Sequence, residues 1–380
     1  MFQCLNVTMI IGIDASRANK KNKTGVEWYS YYLIQALKKI PLKPGDKFVL
    51  YSRDKLKGDL SHLPNNWQSK ILSWPFKYIW THIRLCWEIF FNPPDVLFIP
   101  AHALPIFCRS KKVITVHDLG FKRFKKVYSF SQRIYAYFVH WWASKKADKI
   151  IVPSDFTKEE LIQLYHTKEE KIRVIHEGYD KERFNLNENK GKINKLLKKY
   201  KIKKPYFLFV GRLEKKKNII NLIKAYSMLF NSEIKTSFPR LVLIGKPGFN
   251  YQEIASEIEK LKPLIYQIGY IQTDELVHFY HGAEAFIFPS LYEGFGLPIL
   301  EAMACGTPVI ISNAGSIPEV GNKAALYFNP NKIEEITSTL KDFLTDKSLK
   351  YQLREKGLKN IKKYSWQKCA QETMEVLLTV

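Results

Sequence analysis

Residues 285–301 read AFIFPSLYEGFGLPILE. The apolar run 285–288 is short enough for a strand buried on both faces. Pro289 and Ser290 stop it. A loop carrying Gly294 and Gly296 follows. Pro298 then opens a helical pattern that ends before Gly306. Proline suits the first turn of a helix, where its missing N–H has no partner to lose. Buried strand, glycine loop and helix in succession make half of a parallel βαβ unit.

The same alternation extends in both directions. Upstream, strands at 206–210, 241–244 and 265–268 are interleaved with helical patterns at 219–229, 251–261 and 274–281. Downstream, a strand at 309–312 precedes a helical end from 332 onward, broken at Tyr364-Ser365-Trp366 before a last helix. Residues 185–204 are polar and lysine-rich, apart from one short helical stretch, and are expected to be a linker. Before them, strands at 9–13, 48–51, 96–99, 113–116 and 149–152 alternate with helices at 28–39, 80–90, 131–144 and 157–164. The expectation is an α/β chain of two parallel-sheet, Rossmann-like domains, 1–184 and 205–363, closed by a helical segment at 364–380. Such sheets take ligands at the carboxyl ends of their strands. Two of them face to face would place a site in the cleft between them.

Composition agrees with a globular protein. Of 380 residues, 46% are hydrophobic and 25% charged, which excludes disorder as the main state. The most apolar stretch, 74–107, is interrupted by Lys77, Arg84, Glu88, Asp95 and prolines, so no transmembrane helix is expected. No signal peptide is visible, because Asp14 breaks the apolar start. Cys4, Cys86, Cys108, Cys305 and Cys369 are scattered and never paired as CxxC, which suits reduced thiols in a cytoplasmic protein. Sixty Lys and Arg against 36 Asp and Glu leave a net charge of +24. That field favours an anionic partner such as a phosphorylated small molecule, a membrane surface or nucleic acid. Lysine-rich codon usage is the plain alternative. A basic, non-catalytic nucleic-acid binder is a competing reading, but no nucleic-acid motif accompanies the charge.

Three places carry chemistry. Gly294 and Gly296 let the backbone N–H groups of Phe295, Gly296 and Leu297 approach a ligand closely. The helix start adds partial positive charge suited to a phosphate or a sugar oxygen. Glu293 and Glu301 flank that loop, and a carboxylate accepts well from adjacent hydroxyls. The bland reading is a plain strand–turn–helix with two solvated glutamates. No GxGxxG follows a strand, which disfavours a dinucleotide oxidoreductase. Second, residues 209–218 (FVGRLEKKKN) follow the first strand of the second domain. There Arg212 and Lys217 could clamp a diphosphate, or belong to a solvated lysine run. Third, His117-Asp118 closes an apolar strand of the first domain, where a core histidine is the alternative. Gly25 permits close approach of a substrate at the start of the first long helix.

Together these residues resemble retaining glycosyltransferases of the group 1, or family 4, type. Glu293-Gly-Phe-Gly-Leu-Pro-Ile-Leu-Glu301 is similar to their Glu-(seven residues)-Glu signature. The resemblance continues through residues 302–309 (AMACGTPV), residues 312–320 (SNAGSIPEV), Val210-Gly211-Arg212 with Lys217-Asn218, His117-Asp118, Thr24-Gly25-Val26 and Val152-Pro-Ser154. It covers about residues 9–330. It implies the GT-B fold, with the acceptor on the first domain, a nucleotide-sugar on the second, and the last helix crossing back to the first domain. It implies no metal and no cofactor beyond the nucleotide-sugar. By that resemblance Glu301 holds the ribose. Glu293, Gly294 and the Phe295–Gly296–Leu297 backbone hold sugar and phosphates. Arg212 and Lys217 neutralise the leaving diphosphate. His117 faces the transferred sugar and, with Asp118 and Gly25, the acceptor. Where many relatives have Pro-Asn-Gly, this chain has His176-Glu177-Gly178, and no role is assigned there. Residues 312–320 with 324–330 (AALYFNP) look most like bacterial surface-polysaccharide mannosyltransferases, pointing to GDP-mannose as donor and a saccharide or lipid-linked saccharide as acceptor. A sugar-nucleotide epimerase of the same fold is the competing enzyme reading.

Two first-domain stretches interleave rings with cations: 74–91 (WPFKYIWTHIRLCWEIFF) and 121–149. The second holds eight Lys and Arg, among them Lys122, Arg123, Lys125 and Lys126, against Asp148 alone. This pattern suits a headgroup interface and predicts peripheral binding to the cytoplasmic face of a bacterial plasma membrane. The alternative makes the rings core and the lysines a solvated face.

Overall fold

A computed structural model describes residues 8–76, 79–101, 103–124, 129–231 and 238–380. The chain divides into two compact units, residues 1–178 with 366–380, and residues 179–365. The final helix, Trp366–Thr379, belongs to the first unit. Residues 185–204, expected as a linker, lie inside the second. Helix Lys190–Lys199 there buries Ile193, Leu196 and Leu197 in the second core. Its apolar residues are spaced three and four apart, which puts them on one face beneath a coat of lysines.

Each unit is built on a parallel sheet. In the first unit the strands are β1 (Ile10–Asp14), β2 (Lys47–Ser52), β3 (Trp67–Ile71), β4 (Val96–Ile99), β5 (Lys111–Thr115), β6 (Lys149–Val152) and β7 (Ile172–Val174), in the order β3-β2-β1-β4-β5-β6-β7. The second unit has β8 (Tyr206–Val210), β9 (Arg240–Ile244), β10 (Ile265–Ile268), β11 (Ala285–Phe288), β12 (Val309–Ser312) and β13 (Ala325–Phe328), in the order β10-β9-β8-β11-β12-β13. In both, the chain starts mid-sheet, runs to one edge, then returns to build the other side. The reversal opens a crevice at the carboxyl ends of β1 and β4 in one unit, and of β8 and β11 in the other. The central strands are apolar because helices cover both faces: VLFI of β4 and AFIF of β11 are buried throughout.

Local signals start the helices. Thr24 and Glu27 form a capping box for Gly25–Leu37, and Ser129 with Gln132 does the same for Phe130–Lys146. Helix Asp155–Tyr165 is capped by Ser154 and stops at His166, which turns left-handed at φ 51°.

The first unit also exposes apolar surface. A single π-helical turn, Thr81–Leu85, leads into helix Cys86–Phe91. Phe76, Trp87, Phe91, Phe107, Phe130 and Ile134 are all exposed, Trp87 to 65% and Phe130 to 74%. Three contacts join the segments that carry them. His82 Nε2 lies 3.1 Å from the Tyr135 hydroxyl, joining the 81–91 segment to helix Phe130–Lys146. The Trp142 indole donates to the Pro105 carbonyl at 3.3 Å, and the Arg109 guanidinium covers Phe90 at 4.5 Å. Trp74, Ile83, Trp87 and Phe91 line a depression of about 600 Å³, with Arg84, Glu88 and Asn92 at its polar side. No helix of the described residues is long and apolar enough to cross a membrane.

Candidate active site

The reversal point of the second sheet gathers the residues expected to hold a donor. Gly211, at the end of β8, and Gly245, at the end of β9, pass each other closely. A Cβ on Gly245 would stand 1.8 Å from the Gly211 carbonyl oxygen, and Gly245 has φ +152°. Only glycine fits that approach. The chain then turns through Arg212 to a short 3-10 turn, Lys215–Lys217, and Asn218 enters the next helix left-handed at φ 58°. The Leu291 N–H donates to the Lys216 carbonyl at 2.9 Å, tying the β8 loop to the β11 loop.

Across that tie the Lys217 ammonium pairs with the Glu293 carboxylate, both about seven-eighths buried (14% and 13% exposed). The ammonium also lies 5.4 Å from the Phe288 ring centre. Buried Ser316 donates to the carbonyls of Glu293 and Phe295, each at 2.9 Å, and so fixes the glycine loop. Phe295 turns its ring inward against Tyr364, 5.9 Å between centres, leaving its backbone to line the loop. Gly296, at φ +127°, begins helix Leu297–Ala304, and no side chain caps that helix. Pro298 carries no N–H and the Ile299 N–H donates to the Gly296 carbonyl at 3.0 Å, so the helix start meets a ligand chiefly with its dipole. Arg212 is exposed, and among the described residues its guanidinium makes no ion pair.

Glu301 follows in the same helix. The Tyr280 hydroxyl donates to its Oε2 at 3.0 Å. Burial pushes its carboxyl up to about 7, against the Tyr280 hydrogen bond; Asp180 adds to the rise and Arg183 opposes it. Arg183 is itself held by Asp180 at 3.2 Å and Asp274 at 3.0 Å.

His117, Asp118 and Gly25 belong to the first unit. His117 follows β5, and its Nε2 donates to the Pro100 carbonyl at 2.8 Å. Its Nδ1 faces the Glu177 carboxylate at 3.4 Å. The Tyr29 ring stands edge-on to the imidazole at 4.5 Å. Asp118 Oδ1 accepts the Gly120 N–H at 2.9 Å, so this carboxylate holds the turn after β5. Gly25 opens helix Gly25–Leu37, and a Cβ there would meet no atom within 4 Å. The loop before it is pinned by buried Glu27, which accepts from the Thr24 N–H at 3.2 Å and Lys20 Nζ at 3.0 Å. Burial would raise the Glu27 carboxyl, but the bonds from Thr24 and Lys20 hold it at about 2. Asp14, at the end of β1, is buried too, and burial pushes its carboxyl up.

Sequence reasoning passed over Tyr29 and Tyr280, quoted Ser316 only within a motif, and named Glu177 in His176-Glu177-Gly178 without a role, since it is 60 positions from the histidine it faces. Among the described residues, no group of three or more His, Cys, Asp or Glu side chains is placed to hold a metal ion.

Comparison with known proteins places this arrangement. Residues 192–362 match the family model of glycosyl transferases group 1, and residues 24–183 that of glycosyltransferase family 4. Over 274 residues, 71% of this chain and 70% of the relative, the sequence is 30% identical to the O-antigen chain mannosyltransferase RfbU of Salmonella typhimurium. The chain belongs to the group 1, family 4 glycosyltransferases. This family member is also 33% identical over 231 residues to the O-antigen chain mannosyltransferase B of Escherichia coli, spanning 60% of each chain. It spans about a third (34%) of the serotype-specific mannosyltransferase WbdA of Escherichia coli, at 29% identity. In fold, the glycosyltransferase superposes on Anabaena HepE in complex with UDP-glucose, with a TM-score of 0.75 at 15% identity over 98% and 99% of the two chains. Sucrose-phosphate synthase from Thermosynechococcus elongatus gives 0.74 at 20% identity over 97% and 98%. The two parallel α/β units are thus those of a GT-B architecture.

Proposed function

We propose that this glycosyltransferase moves a hexose, mannose from GDP-mannose, onto a saccharide or lipid-linked saccharide in surface-polysaccharide synthesis. Transfer retains the anomeric configuration and needs no metal. The Lys217–Glu293 pair beside the uncapped start of helix Leu297–Ala304 carries this reading. A glycosyl donor departs through an oxocarbenium-like state while negative charge gathers on the diphosphate. Lys217, exposed Arg212 and the helix dipole meet that charge, which is electrostatic catalysis. In the resting site Glu293 keeps Lys217 at its post. When a diphosphate arrives, the carboxylate is released to accept from sugar hydroxyls. Glu301 accepts from the ribose hydroxyls. On the first unit, His117 faces the transferred sugar, and Gly25 with Asp118 borders the acceptor. The mannosyltransferase names of the relatives favour mannose, and the resemblance of residues 312–320 with 324–330 to such enzymes points to GDP-mannose.

The same reading puts the enzyme at the inner face of a bacterial membrane, held peripherally by the aromatic and cationic face of the first unit. Of its rings, Phe76, Trp87, Phe91, Phe130 and Tyr135 are exposed, whereas Trp80 and Phe121 are buried in the first unit's core.

The test is transfer from a panel of nucleotide-sugars to a lipid-linked acceptor, with and without EDTA. GDP-mannose should raise the melting temperature most and support turnover in EDTA. Removal of one charge-stabilising donor costs about 10²–10³ in rate. Arg212→Ala and Lys217→Ala should therefore stay folded and lose at least about tenfold. Near-normal turnover in both, or a strict metal requirement, would sink the proposal.

A further inference from the structure

Glu177 is a buried carboxylate (5% exposed) whose partner is the His117 ring, with Nδ1 3.4 Å from Oε1. An ionised carboxylate out of water needs a partner, and here the imidazole supplies it. The other ring nitrogen settles where the hydrogens are. Pro100 offers a carbonyl oxygen, which only accepts, so Nε2 carries a proton at 2.8 Å from it. Nδ1 is the nitrogen that faces the Glu177 carboxylate, at 3.4 Å. The imidazole is held at both nitrogens and cannot turn over without losing both contacts.

The remaining neighbours leave the ring no other seat. Tyr29 packs edge-on at 4.5 Å, and its hydroxyl sits 3.2 Å from Thr115 Oγ1. Tyr29 is itself backed by Trp366 at 5.8 Å. Glu177 is the residue before Gly178, the last of the chain's first passage through this unit, and Trp366 is the residue at which the chain returns to it.

We infer that Glu177 is a positioning residue for His117: it fixes the imidazole at the carboxyl end of β5 in one orientation. The inference rests on the reading that His117 faces the transferred sugar. A misplacement of about 1 Å near the reacting atoms can cost on the order of 10²-fold. The role is one of geometry, so a side chain that still reaches Nδ1 should preserve it whatever its charge.

Three substitutions separate position from charge. Glu177→Leu removes the contact. Glu177→Asp keeps the charge but withdraws it by one methylene. Glu177→Gln removes the charge but still reaches the ring nitrogen. Expected are falls of about tenfold or more in kcat for Leu and Asp, with the donor KM within about threefold, and a rate close to wild type for Gln. In protein labelled with nitrogen-15 histidine, the His117 Nδ1 resonance should move in the Leu and Asp variants. If Glu177→Leu does not fold, Glu177→Asp carries the test. A Gln variant as impaired as Leu would make charge the role and overturn positioning. So would an unmoved Nδ1 resonance in the Asp variant. If wild-type protein transfers from no nucleotide-sugar, the functional reading falls, and the nitrogen spectra still decide whether Glu177 holds the ring.

Discussion

Glu301 is an acid whose folded environment favours its proton, and that has two consequences of opposite sign. Its ordinary value of 4.5 is pushed up to about 7 by burial. Between those values the folded chain holds a proton that the unfolded chain has released. The contribution of Glu301 to stability is therefore full below 4.5 and is lost as pH rises to about 7. Glu301→Gln should flatten that part of a urea-denaturation profile. A nucleotide whose ribose hydroxyls donate to Glu301 needs the ionised form. Its binding should then strengthen as pH rises through about 7, and Glu301→Gln should bind weakly at every pH. Calorimetric titration across that range checks it. Affinity independent of pH in wild-type protein would remove Glu301 from the ribose.

At the scale of elements, the glycine turns divide into those that shape the protein and those that leave room. Gly245→Ala would drive a methyl group into the Gly211 backbone, which has no flexible end to yield. The expected loss is about 1–3 kcal/mol or more in denaturant titration, together with the thermal shift given by nucleotide-sugars. Gly25→Ala meets open space at a helix start, so stability should stay within about 0.5 kcal/mol. If the acceptor passes that helix start, the same substitution raises the acceptor KM. The elements also show what could be read in advance. Strands covered on both faces, such as β4, β8 and β11, are unbroken apolar runs and stood out. The edge strand β3 reads WQSKI and buries only its tryptophan, and β7 has three residues, so neither leaves a periodic trace. Helix Lys190–Lys199 was legible as a short helical stretch, but the lysines on its outer face made its segment read as a linker rather than as part of the second core. The donor loops were legible because glycine spacing after a strand is local. The Glu177–His117 contact was not, because sheet order brings the two together and no local pattern marks it.

For the whole molecule, the charge of +24 and the exposed rings of the first unit point the same way. Scattered surface apolar residues need no explanation, but a connected face of large rings marks a docking surface. An anionic bilayer suits it, since rings prefer the headgroup boundary and each nearby cation contributes on the order of 1 kcal/mol. The structure alters which cations to remove. Arg123 pairs at 2.6 Å with Glu160, whose side chain is 2% exposed, so Arg123→Ser would remove a partner of a buried carboxylate and confuse the result. Lys122 lies over Tyr137 at 4.2 Å and joins the ring face. Lys125 and Lys126 lie outside the described residues. Arg109, Lys145 and Lys146 are exposed and make no ion pair among the described residues, so they can be changed without cost to the core. The protein should sediment with vesicles rich in anionic lipid at low salt and leave them by about 0.5 M salt. Arg109→Ser with Lys145→Ser and Lys146→Ser should shift the release to lower salt. Trp87→Ser with Phe130→Ser should weaken binding at least about tenfold at fixed salt, because full burial of each ring is worth roughly 1.5–3 kcal/mol and even partial insertion of the two exceeds the ~1.4 kcal/mol of a tenfold change. Stabilisation by nucleotide-sugar, whose proposed site lies in the second unit, should be the same in every variant. Vesicle binding absent at low salt, or unchanged when both rings are removed, would discard this face as the membrane contact.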